Sequence, residues 1–186
     1  MTPINWVWVG KAVQHFVDNE FTYMEAPWIV PFSAIEVTLP YNRYGFKLDH
    51  PNKNPGYLVG SAEQGFIQMM VENKLPKGKY CAASPCFRDE QVDEWHGLYF
   101  FKVELIEVNP NSKNVFEIMD SARALMESLG DCKISVVKTI EGYDLMCKGI
   151  ELGSYGYRQF GDHTWSYGTG LALPRFSQVL ELKEDV

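Results

Sequence analysis

The stretch Cys86-Phe87-Arg88-Asp89-Glu90, followed by His96 and Phe100, gathers two basic side chains, carboxylates and an aromatic ring in one short segment. Its flanks alternate with the period of two that suits strands: Tyr80, Ala82 and Ser84 before it, Phe101, Val103 and Leu105 after it. A polar turn separates them, so the segment reads as a hairpin with Arg88 and His96 facing each other across it. A guanidinium grips phosphate through two parallel hydrogen bonds, and Phe100 offers a stacking face worth about 1–3 kcal/mol per base. Glu90 can accept from an exocyclic amine. Such a set could hold ATP. The same residues would equally suit a surface hairpin in which Arg88 and Glu90 form a weak ion pair and Phe100 lies in a core.

Three further segments carry groups of the same chemistry. Tyr167-Gly168-Thr169-Gly170-Leu171-Ala172-Leu173-Pro174-Arg175 ends on an arginine where an apolar helix through Phe176, Val179 and Leu180 begins. Its glycines would let backbone approach a nucleotide closely, and a helix start favours anions. Glu151-Leu152-Gly153-Ser154 spaces a carboxylate and a hydroxyl three residues apart. In Ser61-Ala62-Glu63-Gln64, the first and last residues form a capping box for a helix carrying Phe66, Ile67, Met70 and Val71, while Glu63 suits a cationic α-amine.

Together these segments resemble the motifs of the class II aminoacyl-tRNA synthetase catalytic core, in its seryl and pyrrolysyl forms. Phe87 to Glu90 with His96 and Phe100 is similar to the second motif, with a shorter loop. Gly168 to Arg175 is similar to the third, Ala172 standing for its last glycine. Glu151 and Ser154 match the Glu-x-x-Ser element, and Ser61 to Glu63 matches Thr-x-Glu with serine for threonine. Ile4 to Asn19 and then Phe21 to Pro27 match the first motif, a long helix and a strand ending in proline.

The resemblance implies ATP-dependent amino-acid activation by an AMP-forming ligase. It implies Arg88 and Arg175 as catalytic cations on ATP, Glu90 on the adenine amine, His96 at the γ-phosphate and Phe100 on the base. Glu151, also at ATP, would hold Mg²⁺ with Ser154. Ser61 and Glu63 would grip the amino acid, with Lys102, Glu104 and Ser166 as further pocket residues by their position beside the motifs. The first motif implies a homodimer. The acceptor of the aminoacyl group stays open among a carrier protein, a small molecule, a modified nucleotide and tRNA. The readings are a stand-alone activating domain, a minimal tRNA ligase, or a non-catalytic paralogue that binds amino acid or ATP.

The elements that must position these groups are legible in outline. Trp8, Ala12, His15 and Phe16 share a helix face, and Val115, Ile118, Met119, Ala122, Leu125 and Met126 define a second helix within Ser112 to Leu129, stopped by Gly130. Val30 to Pro55 reads as a strand pair with loops, and Ile134 to Met146 as strand. The expected architecture is α+β, an antiparallel β-sheet flanked by helices, with 1–186 as a single catalytic domain and no anticodon-binding domain. At 46% hydrophobic and 14% aromatic residues the composition is that of a globular core. A net charge of −7 and a pI near 5.1 disfavour a dedicated polyanion surface. No apolar run approaches a membrane span, and no signal peptide is evident, so a cytoplasmic protein is expected. Cys81, Cys86, Cys132 and Cys147 show no C-x-x-C spacing and are expected as buried thiols.

Overall fold

The computed structural model describes residues 3–39, 45–49, 56–89, 91–110 and 115–182. Asn5 caps the first helix, α1 (Trp6–Asp18), its side-chain oxygen accepting from the Trp8 amide at 3.2 Å. Spacings of three and four put Val9, Ala12 and Phe16 on its buried face. Trp8 packs at the edge of that face, edge-on to Phe176, and His15 reaches the Ser121 carbonyl at 3.0 Å. The strand expected over Phe21 to Pro27 shortens to β1 (Thr22–Tyr23).

Short elements follow: β2 (Ile29–Val30), α2 (Phe32–Ile35), β3 (Lys47–Leu48) and β4 (Gly56–Leu58), in a small antiparallel sheet ordered β2-β4-β3. The strand pair expected within Val30 to Pro55 is not what forms: β2 and β3, with α2 between them in sequence, each pair with β4, which lies beyond Pro55. Residues 40–44 and 50–55 of that stretch lie outside the described residues. Helix α3 (Ala62–Val71) starts at Ser61, whose hydroxyl accepts from the Glu63 amide at 3.3 Å. Gln64 reaches back to the Gly60 amide at 2.7 Å, one residue beyond the usual capping-box partner.

The expected hairpin is formed by β5 (Gly78–Phe87) and β6 (Tyr99–Val108), in continuous register from Gly78 opposite Val108 to Phe87 opposite Tyr99. Helix α4 (Phe116–Leu129) stops before Gly130. The strand character after Ile134 divides into β7 (Ser135–Lys138) and β8 (Gly142–Cys147), the chain reversing over Thr139 to Glu141 in a turn closed by the Thr139 amide donating to the Gly142 carbonyl at 2.9 Å. Two long strands, β9 (Ile150–Phe160) and β10 (His163–Leu173), lead to α5 (Arg175–Glu181).

The main sheet runs β1-β5-β6-β10-β9-β8-β7, antiparallel throughout except for the β1–β5 edge pair. Alternation splits each strand between two cores. Val103 and Leu105 face α1, α4 and α5, meeting Phe16, Ile118, Leu125 and Phe176. Ile106 and Val108 face α3, meeting Phe66, Ile67 and Met70. The fold is the α+β arrangement expected.

The cysteines correct one expectation. Cys132 and Cys147 pair as a disulfide, Cα atoms 6.2 Å apart, although their separation of 15 residues forms no local motif. The fold brings the end of β8 beside the loop after α4. Cys81 and Cys86 remain free and buried, and burial pushes both thiols up to about 12. Among the described residues, no helix is long and apolar enough to cross a membrane.

Candidate functional site

The end of β5, the start of β6, the start of β9 and the end of β10 meet at one end of the main sheet. Phe87 donates its amide to the Val59 carbonyl at 2.8 Å, which ties the end of β5 to the loop before α3. Arg88 then donates Nε to the Gly60 carbonyl at 3.2 Å and lies 4.9 Å from the Phe100 ring centre. No carboxylate pairs with Arg88 among the described residues. Glu90 lies outside them.

A cavity of about 340 Å³ opens on the α3 side of the sheet here. It is lined by Ser61, Glu63, Arg88, Lys102, Glu104, Glu151 and Ser154, so seven of the expected site residues share one space. A second cavity, about 410 Å³, is lined by His96, Phe100 and Arg175. Arg88 and His96 therefore line adjoining cavities, instead of facing each other in one. Two contacts join the cavities: Arg88 over Phe100, and Arg175, whose NH1 lies 3.8 Å from Glu151 Oε1. Ser166 lines neither cavity. It alternates with Trp165 and Tyr167, is fully buried, and its hydroxyl has no hydrogen-bond partner.

Two bulges make this convergence geometrically allowed. Residues three apart on a regular strand point to opposite faces, so Glu151 and Ser154 should be separated by the sheet. The β8–β9 register shifts between Leu145 opposite Gly153 and Met146 opposite Glu151, leaving Leu152 as the extra residue. Glu151 then shares a face with Ser154, whose hydroxyl donates to Glu151 Oε1 at 3.3 Å. On β10 the register shifts between Thr169 and Leu171, across Gly170. Tyr167 and Thr169 line the cavity, while Leu171 and Leu173 turn into the α1 and α4 core.

The glycines of that strand answer a packing need. A Cβ on Gly168 would lie 2.4 Å from the Tyr155 ring and 2.9 Å from Ile118, and one on Gly170 2.5 Å from the Phe16 ring. Both point at the helices behind the sheet. Helix α5 has seven residues and Pro174 as its N-cap, so Arg175 contributes through its side chain and not through a long helix dipole.

Arg158, which lines the first cavity, and Asp144 and Trp165, which bond to residues that line it, had weak or no sequence signals. Asp144 stands opposite Ser154 in the β8–β9 register and hydrogen-bonds with it. Burial pushes the Asp144 carboxyl up, and Glu151 and Glu141 add to the rise. Two like-charged carboxylates bridged by a hydroxyl that hydrogen-bonds to them form a set of oxygen ligands that fits a hard cation such as Mg²⁺. Arg158 donates to Glu63 Oε2 at 2.6 Å, and the Trp165 indole donates to Glu63 Oε1 at 2.7 Å. Arg158 was findable by alternation from Ser154. Asp144 and Trp165 reach the site through strand pairing and helix packing alone. In the second cavity Asp93 accepts from the Trp95 and His96 amides, both at 2.7 Å, and contacts His96 Nδ1 at 2.8 Å, which leaves Nε2 of His96 presented.

No family model matches the chain, and no curated protein matches it in sequence. Solved structures do match its fold. The cytoplasmic serine-tRNA ligase of Naegleria fowleri, solved with AMP, superposes with a TM-score of 0.74 at 15% identity, over 92% of this chain and 46% of that one. Pyrrolysyl-tRNA synthetase of Desulfitobacterium hafniense gives 0.73 at 19%, over 94% and 68%. Seryl-tRNA synthetase of Pyrococcus horikoshii, solved with ATP, gives 0.72 at 18%, over 94% and 49%. The chain thus spans about half to two thirds of the length of these structures. Its sheet order, its flanking helices and these superpositions agree: the chain has the fold of the class II aminoacyl-tRNA synthetase catalytic core.

Proposed function

We propose that the chain activates an amino acid with ATP. The amino-acid carboxylate attacks the α-phosphorus, the bond to pyrophosphate breaks, and an aminoacyl-adenylate forms. An acceptor then attacks the acyl carbon and releases AMP. The observation that carries this reading is the convergence of Arg88, Phe100, Glu151 and Arg175 at one end of the sheet, across two adjoining cavities. Arg88, without a carboxylate partner among the described residues, is the cation for the α-phosphate. Phe100 takes the adenine face, Arg175 a second position on the nucleotide, and His96 the γ-phosphate. Glu90 keeps its expected role on the adenine amine.

The reaction needs no general base, since the attacking carboxylate is already ionised. The protein contributes alignment of the two reactants and positive charge around the phosphate. Glu151 and Ser154, with Asp144 beside them, would hold Mg²⁺, which neutralises polyphosphate charge when bound. Ser61, Glu63, Lys102 and Glu104 form the amino-acid side of the first cavity. Exposed apolar side chains on α1 and β1, Trp6, Val7, Val17 and Tyr23, support a homodimer built on the first motif.

Amino-acid-dependent exchange of pyrophosphate into ATP tests the reading. The wild-type protein is expected to support exchange with one or a few amino acids. Arg88→Ala is expected to lower it by about 100-fold or more with an unchanged thermal melt. Exchange at the wild-type rate in Arg88→Ala would overturn the assignment.

A further inference from the structure

Glu63 and Glu104 are the carboxylates buried in the wall of the first cavity, 4% and 2% exposed. Each is already neutralised. Lys102 Nζ lies 3.0 Å and 2.9 Å from the two oxygens of Glu104, and Ser61 Oγ donates to Glu104 at 2.7 Å. Glu63 accepts from Arg158 on one oxygen and from Trp165 on the other. Arg158 is itself held on further sides, its guanidinium carbon 3.9 Å from the Tyr167 ring centre and NH2 3.3 Å from Glu141. Burial alone would lower the Arg158 guanidinium, but the charge and hydrogen bond of Glu63 outweigh it and leave the group raised. The side chain is fixed, and it still lines the cavity.

We propose that Arg158 is a specificity-determining residue. By cancelling the charge of Glu63 it closes the cavity to amino acids whose side chains carry a second ammonium or a guanidinium. The inference rests on the amino-acid reading above. An ionised carboxylate offers about four acceptor sites. Arg158 and Trp165 take two, so one α-ammonium can still bind Glu63. Among the described residues, a second cation on the substrate finds no buried carboxylate without a resident cation, and in the buried part of the cavity it would be desolvated unpaired. Arg158 and Lys102 also repel it directly. The remaining wall, with Ile35, Thr38, Leu39, Leu58, Gln64 and Thr169, offers apolar surface, hydroxyls and an amide, and its other carboxylates, Asp89, Glu141 and Glu151, are exposed to solvent, where an ion pair is worth little.

Thermal-shift titration of wild type and Arg158→Met with ATP, Mg²⁺ and each of the twenty standard amino acids tests this. Wild type is expected to respond to at least one uncharged amino acid and not to lysine or arginine. Arg158→Met, with Glu63 unpaired, is expected to shift relative affinity toward lysine or arginine by about tenfold or more, the order of one charge-assisted contact. Glu63→Gln/Arg158→Met, the fallback if the single variant does not fold, removes the buried Glu63 charge with that of Arg158 and frees only the exposed Glu141 carboxylate, so it is expected to show no such gain. Wild-type binding of lysine or arginine as tight as that of uncharged amino acids overturns the proposal. So does an unchanged ratio in folded Arg158→Met, or a gain for lysine in the double variant. A wild-type response to ATP with none to any amino acid overturns the proposal together with the amino-acid reading, and leaves the nucleotide site standing.

Discussion

Asp144, Ser154 and Glu151 crowd two carboxylates against one hydroxyl at the edge of the first cavity. Burial, joined by the charges of Glu151 and Glu141, raises the Asp144 pKa above its ordinary 3.8. A carboxyl raised on folding holds its proton more tightly in the native state. Its contribution to stability is complete below the unfolded pKa and is lost as pH rises through the folded one. Asp144→Asn should therefore melt higher than wild type at neutral pH, and the two should converge below pH 3.8, as followed by circular dichroism. A variant that melts lower at neutral pH would show that Asp144 is held by a favourable partner instead. The same substitution should weaken the Mg²⁺-dependent part of ATP binding, measured by titration with and without the metal.

At the scale of elements, the bulges and glycines divide the labour between the two faces of the sheet. Gly170 fills the β10 bulge and lies against Phe16, where a Cβ would also come 3.0 Å from the Val103 carbonyl. Gly170→Ala is expected to destabilise by about 1–3 kcal/mol through overpacking, read as a lower midpoint in urea. Gly10 offers the opposite case, exposed within α1 with nothing within 4 Å of its missing Cβ. Gly10→Ala should stabilise by about 0.5–1 kcal/mol from backbone entropy and helix propensity. If both glycines respond alike, helix packing is not what excludes a side chain at position 170.

The whole molecule places its two cores on opposite faces of one sheet and leaves an apolar strip outside both. Val7 is 68% exposed and Trp6 63%, on the helix where the proposed dimer would form. Sedimentation velocity should find wild type as a dimer and Val7→Glu shifted toward monomer, with the circular dichroism spectrum retained. A wild-type monomer at all accessible concentrations would remove the dimer from the proposed function. Assembly is a whole-molecule property, because α1 also packs its other face against α4 and β5.

The amino-acid sequence by itself determined the hairpin, the helices and the residue types of the site. Alternation around Arg88, helical spacing through Phe16 and Ile118, and the Ser61 cap are local signals, each set by backbone geometry within a few residues. Tertiary structure decided which of those residues share a space. Glu151 and Ser154 reach one face only through a bulge defined by pairing with β8, and Ser166 is turned away from the cavity by its place between Trp165 and Tyr167. Arg158, Trp165 and Asp144 join the site through contacts between distant strands and helices, as do the paired Cys132 and Cys147. Periodicity reports what a residue does relative to its neighbours in the chain. Register, bulges and charge pairing depend on a partner strand that periodicity does not name.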